Sequence, residues 1–71
     1  MEDNMDKSSF YAWKAVDQAH TAVRLRDKYY IALALNTVFW AYMYGHITGG
    51  EWRAASALIH KFGHIHGVDY V

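Results

Sequence analysis

The chain has 71 residues, no cysteine and no proline, and its seven basic and seven acidic side chains cancel at pH 7. A chain of this size makes one domain and hides only about 60% of its unfolded surface, so its core needs reinforcement. Composition excludes disulfides and thiolate zinc sites and suits a reducing, cytoplasmic setting, while neutrality removes the general field that draws a protein to nucleic acid.

The opening Met1-Glu2-Asp3-Asn4 is acidic and polar, without the basic and apolar regions of a signal peptide, and residues 1–7 read as a flexible N-terminus. A first helix is expected from Ser8 or Ser9, either of which can accept a bond from the free amides of a first turn. Phe10, Trp13, Val16, His20 and Val23 recur at three- and four-residue steps, with Lys14, Asp17, Gln18, Thr21, Arg24 and Lys28 opposite. That spacing predicts an amphipathic helix with one buried stripe. Asp27 is placed to cap a second helix after a break near Arg26, which is the favoured reading, and a helix continuous through Arg26 is the alternative.

From Tyr29 to Gly50 there is no formal charge, only His46, and Tyr29–Tyr44 is apolar on every face apart from Asn36 and Thr37. A helix apolar all round sits centrally in a bundle or in lipid. The stretch would span about 24 Å as a helix, short of the roughly 30 Å hydrocarbon core, so the central position is the favoured reading.

Glycines are confined to Gly45, Gly49, Gly50, Gly63 and Gly67. Thr48 is a good N-cap with Glu51 three residues on, which predicts a capping box, and Ile47 with Trp52 supplies the hydrophobic staple. The third helix is expected to bury Trp52, Ala55, Leu58, Ile59 and Phe62 and to expose Arg53, Ala57, His60 and Lys61. Gly63 stands where a left-handed residue would end it. Residues 64–71 then form an irregular tail packed by Ile65, Val68 and Tyr70. Locally, Gly45-His46-Ile47-Thr48-Gly49-Gly50-Glu51 resembles the G-x-I-T-x-x-E turn of short helical-hairpin oligomerisation modules. The resemblance implies a tight connection between two antiparallel helices.

No residue pattern carries recognisable chemistry. His60 and His64 have metal-ligand spacing, with His66 nearby, but Gly63 is expected to end the helix between them and Lys61 stands where a metalloprotease would have glutamate. A polar helix end is the simpler account, and no metal is assigned. His20, on the apolar stripe, reads as a core histidine. Ser56 and His60 lie four apart without a third group or oxyanion hole, so no catalytic residue, cofactor or enzymatic activity is assigned. Arg24, Arg26 and Lys28 before Tyr29 and Tyr30 outline a basic, stacking surface, which keeps a small helical nucleic-acid-binding protein as an alternative. A single-span membrane-associated protein is the other alternative.

The sequence therefore predicts an all-α domain over residues 1–71, a three-helix arrangement with an apolar central helix, completed by oligomerisation or a partner. So many aromatic side chains, three Trp, six Tyr and three Phe, exceed the interior of so small a globule. The expected role is a non-catalytic protein-binding regulator or inhibitor, such as a phage or mobile-element accessory protein acting on a host or defence complex. Tyr29, Tyr30, Tyr42 and Tyr44 are the expected contact residues, with Arg24 and Arg53 as polar anchors.

Overall fold

The computed structural model describes residues 6–69; it contains three helices, α1 (Lys7–Leu25), α2 (Tyr29–Met43) and α3 (Gly49–Ile65), and no strand among the described residues. The protein is all-α, as its periodicity predicts. Its extents of 34 × 28 × 15 Å make it little more than one helix thick, since a helix with side chains is about 10–12 Å across.

The cap of α1 is Asp6, not Ser8 or Ser9. Its carboxylate accepts the Ser9 amide at 2.8 Å and the Ser8 hydroxyl at 2.9 Å. A carboxylate outcompetes a serine hydroxyl here because it brings full charge to the positive end of the helix. The second helix begins after the expected break: Arg26 is left-handed, with φ of 54°, and the Asp27 carboxylate accepts the Tyr29 amide at 3.0 Å. The Thr48–Glu51 capping box forms in both directions, at 3.1 and 2.8 Å.

All three helices end in the same way. A left-handed residue follows each one, namely Arg26, Gly45 and Gly67. The next amide then turns back to the carbonyl five residues earlier, Asp27 to Ala22, His46 to Ala41 and Val68 to Gly63, at 2.8–3.0 Å. This is the Schellman arrangement, which satisfies carbonyls the helix leaves free. The expected stop at Gly63 is therefore displaced. The helix runs on through His64 and Ile65, and Gly67 supplies the positive φ. Gly63 has a different task, because a side chain there would meet Ile31 Cδ1 at 3.3 Å and the Val68 carbonyl at 3.4 Å. Val68, in the expected irregular tail, is buried over this contact, while Tyr70, Val71 and residues 1–5 lie outside the described residues.

The chain runs up, down and up. Tyr11 near the start of α1 stacks on His46 beyond the end of α2, and the Thr37 hydroxyl bonds to Gln18 at 2.7 Å midway along both. Arg26, after α1, donates to the His66 carbonyl at the end of α3 at 3.1 Å. The antiparallel connection implied by the Gly45–Glu51 pattern is present.

The core consists of small residues. Ala15, Ala19 and Ala22 on α1 bury against Ile31, Ala34, Val38 and Ala41 on α2, with Ile59 and Val68 from the third helix and tail. Ile31 is the largest side chain fully removed from water. This overturns the expected stripe of α1: Phe10, Trp13, Val16 and His20 are exposed, and Val23 is only half-buried. The inward face lies roughly a third of a turn away, on the alanines, because short side chains let two helix backbones approach closely along their whole length. On α3, Ile59 is buried and Trp52, Ala55 and Phe62 are half-buried, but Leu58 points to solvent. The middle helix packs against both neighbours yet leaves one side uncovered.

Candidate interaction surface

Two open apolar surfaces carry most of the exposed large side chains among the described residues. The first is the outward side of α2. Tyr29, Leu33, Asn36, Trp40 and Tyr44 follow at steps of four, three, four and four, which places them along one line of the helix away from Ile31 and Val38. Tyr29 is 59% exposed, Trp40 43% and Tyr44 66%. Trp40 and Tyr44 stack with ring centroids 5.5 Å apart. Phe39 meets Trp40 and Trp52 edge-on at 5.5 and 5.8 Å, and Tyr42 lies flat on Trp52 at 4.7 Å. These five rings form one connected set, so the exposed aromatics are held in place by their neighbours and lose little freedom on binding.

Beside this line, an open groove runs between α2 and α3. Its α2 wall includes Leu35, Asn36 and Phe39, and its α3 wall Trp52, Ser56 and His60. No carboxylate lines it, so Ser56 and His60 have no acid partner there. A serine at this position is a small wall residue and not an activated nucleophile.

The second surface lies between α1 and α3. Val16 and His20 face Leu58 and Phe62 across an open cleft of about 270 Å³. His20 rests on the Phe62 ring at 5.2 Å, so it belongs to this surface and not, as expected, to the core. Trp13 extends the α1 wall and Ile65 the α3 wall, each one or two turns along the same face, and both are largely exposed.

The expected contact residues are dispersed. Tyr29 and Tyr44 stand at opposite ends of the outward line of α2. Tyr30 is half-buried and meets Tyr29 edge-on at 5.9 Å. Tyr42 covers Gly49, close to Arg53, at the turn joining the second and third helices. Arg24, held by Thr21 Oγ1 at 3.2 Å, lies at the other end of the molecule. Leu33, Asn36 and Trp40, which join Tyr29 to Tyr44, were not among the expected contacts, nor were Trp13, Val16, Leu58 and Ile65. The four–three–four spacing within the charge-free run is the signal that marks the first set.

The remaining clusters are structural in character. The left-handed Arg26 breaks the helix between Arg24 and Lys28, which removes the shared face expected of them. Asp27 and Asp69 border the same depression as Arg26 and Lys28, so that corner is mixed in charge. Because α3 continues through Gly63, His60 and His64 do share a helix side, contrary to expectation. His64 Nδ1 instead pairs with Asp69 Oδ2 at 2.7 Å, and no group of three or more potential metal ligands occurs among the described residues. No helix among them is long and apolar enough to cross a membrane. Asp6 titrates below the ordinary carboxylate range because the Ser9 amide, followed by the Ser8 and Ser9 hydroxyls, stabilises its charge. Comparison with protein-family models, curated proteins and solved structures finds no match.

Proposed function

We propose that this chain is a non-catalytic binding module, a small regulator or inhibitor that acts by occupying the surface of a protein partner. One observation carries the reading: the fold closes its core with alanine, valine and isoleucine, packs Tyr30, Leu35, Trp52 and Phe62 half-buried around it, and leaves Trp13, Tyr29, Trp40, Tyr44, Leu58 and Ile65 exposed. Exposed contiguous apolar surface of this kind marks sites of association in soluble proteins. Aromatic rings already braced against one another make efficient anchors, since tyrosine and tryptophan dominate interface hot spots. The absence of charge between Tyr29 and Gly50 favours a partner face that is apolar as well.

A nucleic-acid role draws less support. Arg26 is spent on the His66 carbonyl and Arg24 rests on Thr21, and the third helix offers only Arg53 and Lys61 as bases. The two readings separate on salt. Phosphate contacts would cost about a thousandfold or more in affinity between 50 and 200 mM salt, whereas an apolar contact is little changed. The direct test combines light scattering of the purified chain with affinity capture from its native host. A salt-insensitive assembly lost on Trp40→Glu, or a specific captured protein lost on Trp40→Glu or Leu58→Glu according to the surface it occupies, is expected. A monodisperse monomer that captures no specific protein overturns the reading.

A further inference from the structure

We infer that the outward line of α2 is a self-recognition surface, on which a second copy of this chain packs antiparallel about a two-fold axis near Asn36. The inference rests on the reading of the chain as a binding module and goes further by naming the occupant and its register.

The outward line of α2 is close to symmetric in sequence. A contact between two identical faces must be self-complementary, with each residue meeting its mirror position. Tyr29 with Tyr44 and Leu33 with Trp40 meet that condition, and Asn36 lies half a residue from their common centre. Tyr29 and Tyr44 are equidistant from the point between Asn36 and Thr37, and so are Leu33 and Trp40. In an antiparallel pair, Tyr29 meets the partner's Tyr44 and Leu33 meets the partner's Trp40, a smaller side chain against a larger one. A parallel pair would set Trp40 on Trp40 and Leu33 on Leu33, wide at one level and hollow at the next. The antiparallel order alone gives layers of even thickness, which close packing requires.

Asn36 then lies beside its own copy at the axis. It is the one polar side chain on the line, and its amide both donates and accepts, so two copies satisfy each other. A single polar residue in an apolar helix seam fixes register, because every shifted pairing leaves it unpartnered.

Charge and area agree. No charged side chain would be buried along Tyr29–Met43. Lys28, just before the helix, would face the C-terminal end of the partner's α2, where the free carbonyls carry partial negative charge. Tyr29, Trp40 and Tyr44, exposed by 59, 43 and 66%, present roughly 350 Å² among them, close to half of the roughly 800 Å² that each side of a stable interface buries. Leu33, Met43 and the groove wall adjoining Asn36 supply further apolar area. The pairing would also enclose the last open side of the middle helix.

The chain has no cysteine, so single-cysteine variants report the geometry without background. Asn36→Cys is expected to form a disulfide dimer under mild oxidation, since a two-fold axis brings its two copies within disulfide range. Tyr29→Cys alone should remain uncrosslinked, whereas a mixture of Tyr29→Cys with Tyr44→Cys should give the mixed dimer. Light scattering should show a dimer of the 8.2 kDa chain, weakened at least about 30-fold by Trp40→Glu and unaffected by Leu58→Glu on the other surface. Far-ultraviolet dichroism checks that the substituted chains keep their helix, and Tyr29→Glu gives an independent break of the same face. A crosslink of Tyr29→Cys to itself overturns the antiparallel register. A wild-type chain that is monomeric at about 100 µM overturns the pairing. If that monomer still captures a specific protein, the binding-module reading stands without it, and if it captures none, both fall.

Discussion

Single residues in this protein act mainly through the ends of helices and one point of close approach. Asp6 holds the first turn of α1 with a carboxylate whose charged form is favoured by the Ser9 amide. Its folded pKa lies below the unfolded value near 3.8, so its contribution is complete above that value and is lost as pH falls through the lower, folded one. Protection of the Ser9 and Phe10 amides, taken relative to their intrinsic exchange rates, should accordingly fall as pH drops below the unfolded value of Asp6 in the native sequence and be low at every pH in Asp6→Ala. Gly63 illustrates a different constraint. A helix interior ordinarily favours alanine over glycine by about 0.5–1 kcal/mol, but here the added carbon meets the fully buried Ile31 at 3.3 Å. Gly63→Val brings two further methyl groups into that contact and should destabilise by about 1–3 kcal/mol, read as a lower midpoint in denaturant with an unchanged slope.

The elements share a common closing turn at their ends but differ at their starts, where only the third helix has a reciprocal pair of bonds. The third helix has the strongest start, with the Thr48 hydroxyl and the Glu51 carboxylate each bonded to the other's backbone. Thr48→Ala should cost about 1 kcal/mol, which lowers Tm by about 4–8 °C in a domain of this size. Glu51→Gln should be nearly neutral, because a glutamine side chain can make the same return bond. The second helix has weaker insulation. Its start has one side-chain bond among the described residues, from the Tyr29 amide to the Asp27 carboxylate, its interior carries no charge pair, and its outward side is apolar. Its order therefore depends on what covers it, first the alanine face of the first helix and then, in the proposed pairing, a second copy.

At the scale of the whole molecule, thickness governs behaviour. Three helices spread into a body 15 Å deep expose two broad sides, and too few residues remain to cover either. Association offers such a chain the burial that its own length denies it. If self-association contributes to stability, Tm should rise with protein concentration, and the rise should disappear in Trp40→Glu but persist in Leu58→Glu. Differential scanning at concentrations spread over about two decades would show it, since each decade shifts the association term by about 1.4 kcal/mol.

The amino-acid order by itself determined what depends on neighbours within a few positions. Three helices, the break after Arg26, the capping box at Thr48 and the tight antiparallel turn near Gly45 all follow from short-range spacing and the bonds of local amides. The tertiary structure alone decided which sides of those helices face inward. On α1, the largest apolar residues suggested one buried stripe, yet the alanines face in, because backbones separated by small side chains gain close contact over many turns. On α3, Gly63 resembles a terminator by type and spacing, but the backbone continues and the missing side chain admits Ile31. Trp40, Leu33 and Asn36 acquire meaning only as part of an uncovered line, since exposure is a property of the packed molecule. Local chemistry therefore specifies the pieces, and competition for limited interior volume selects the surface left open for binding.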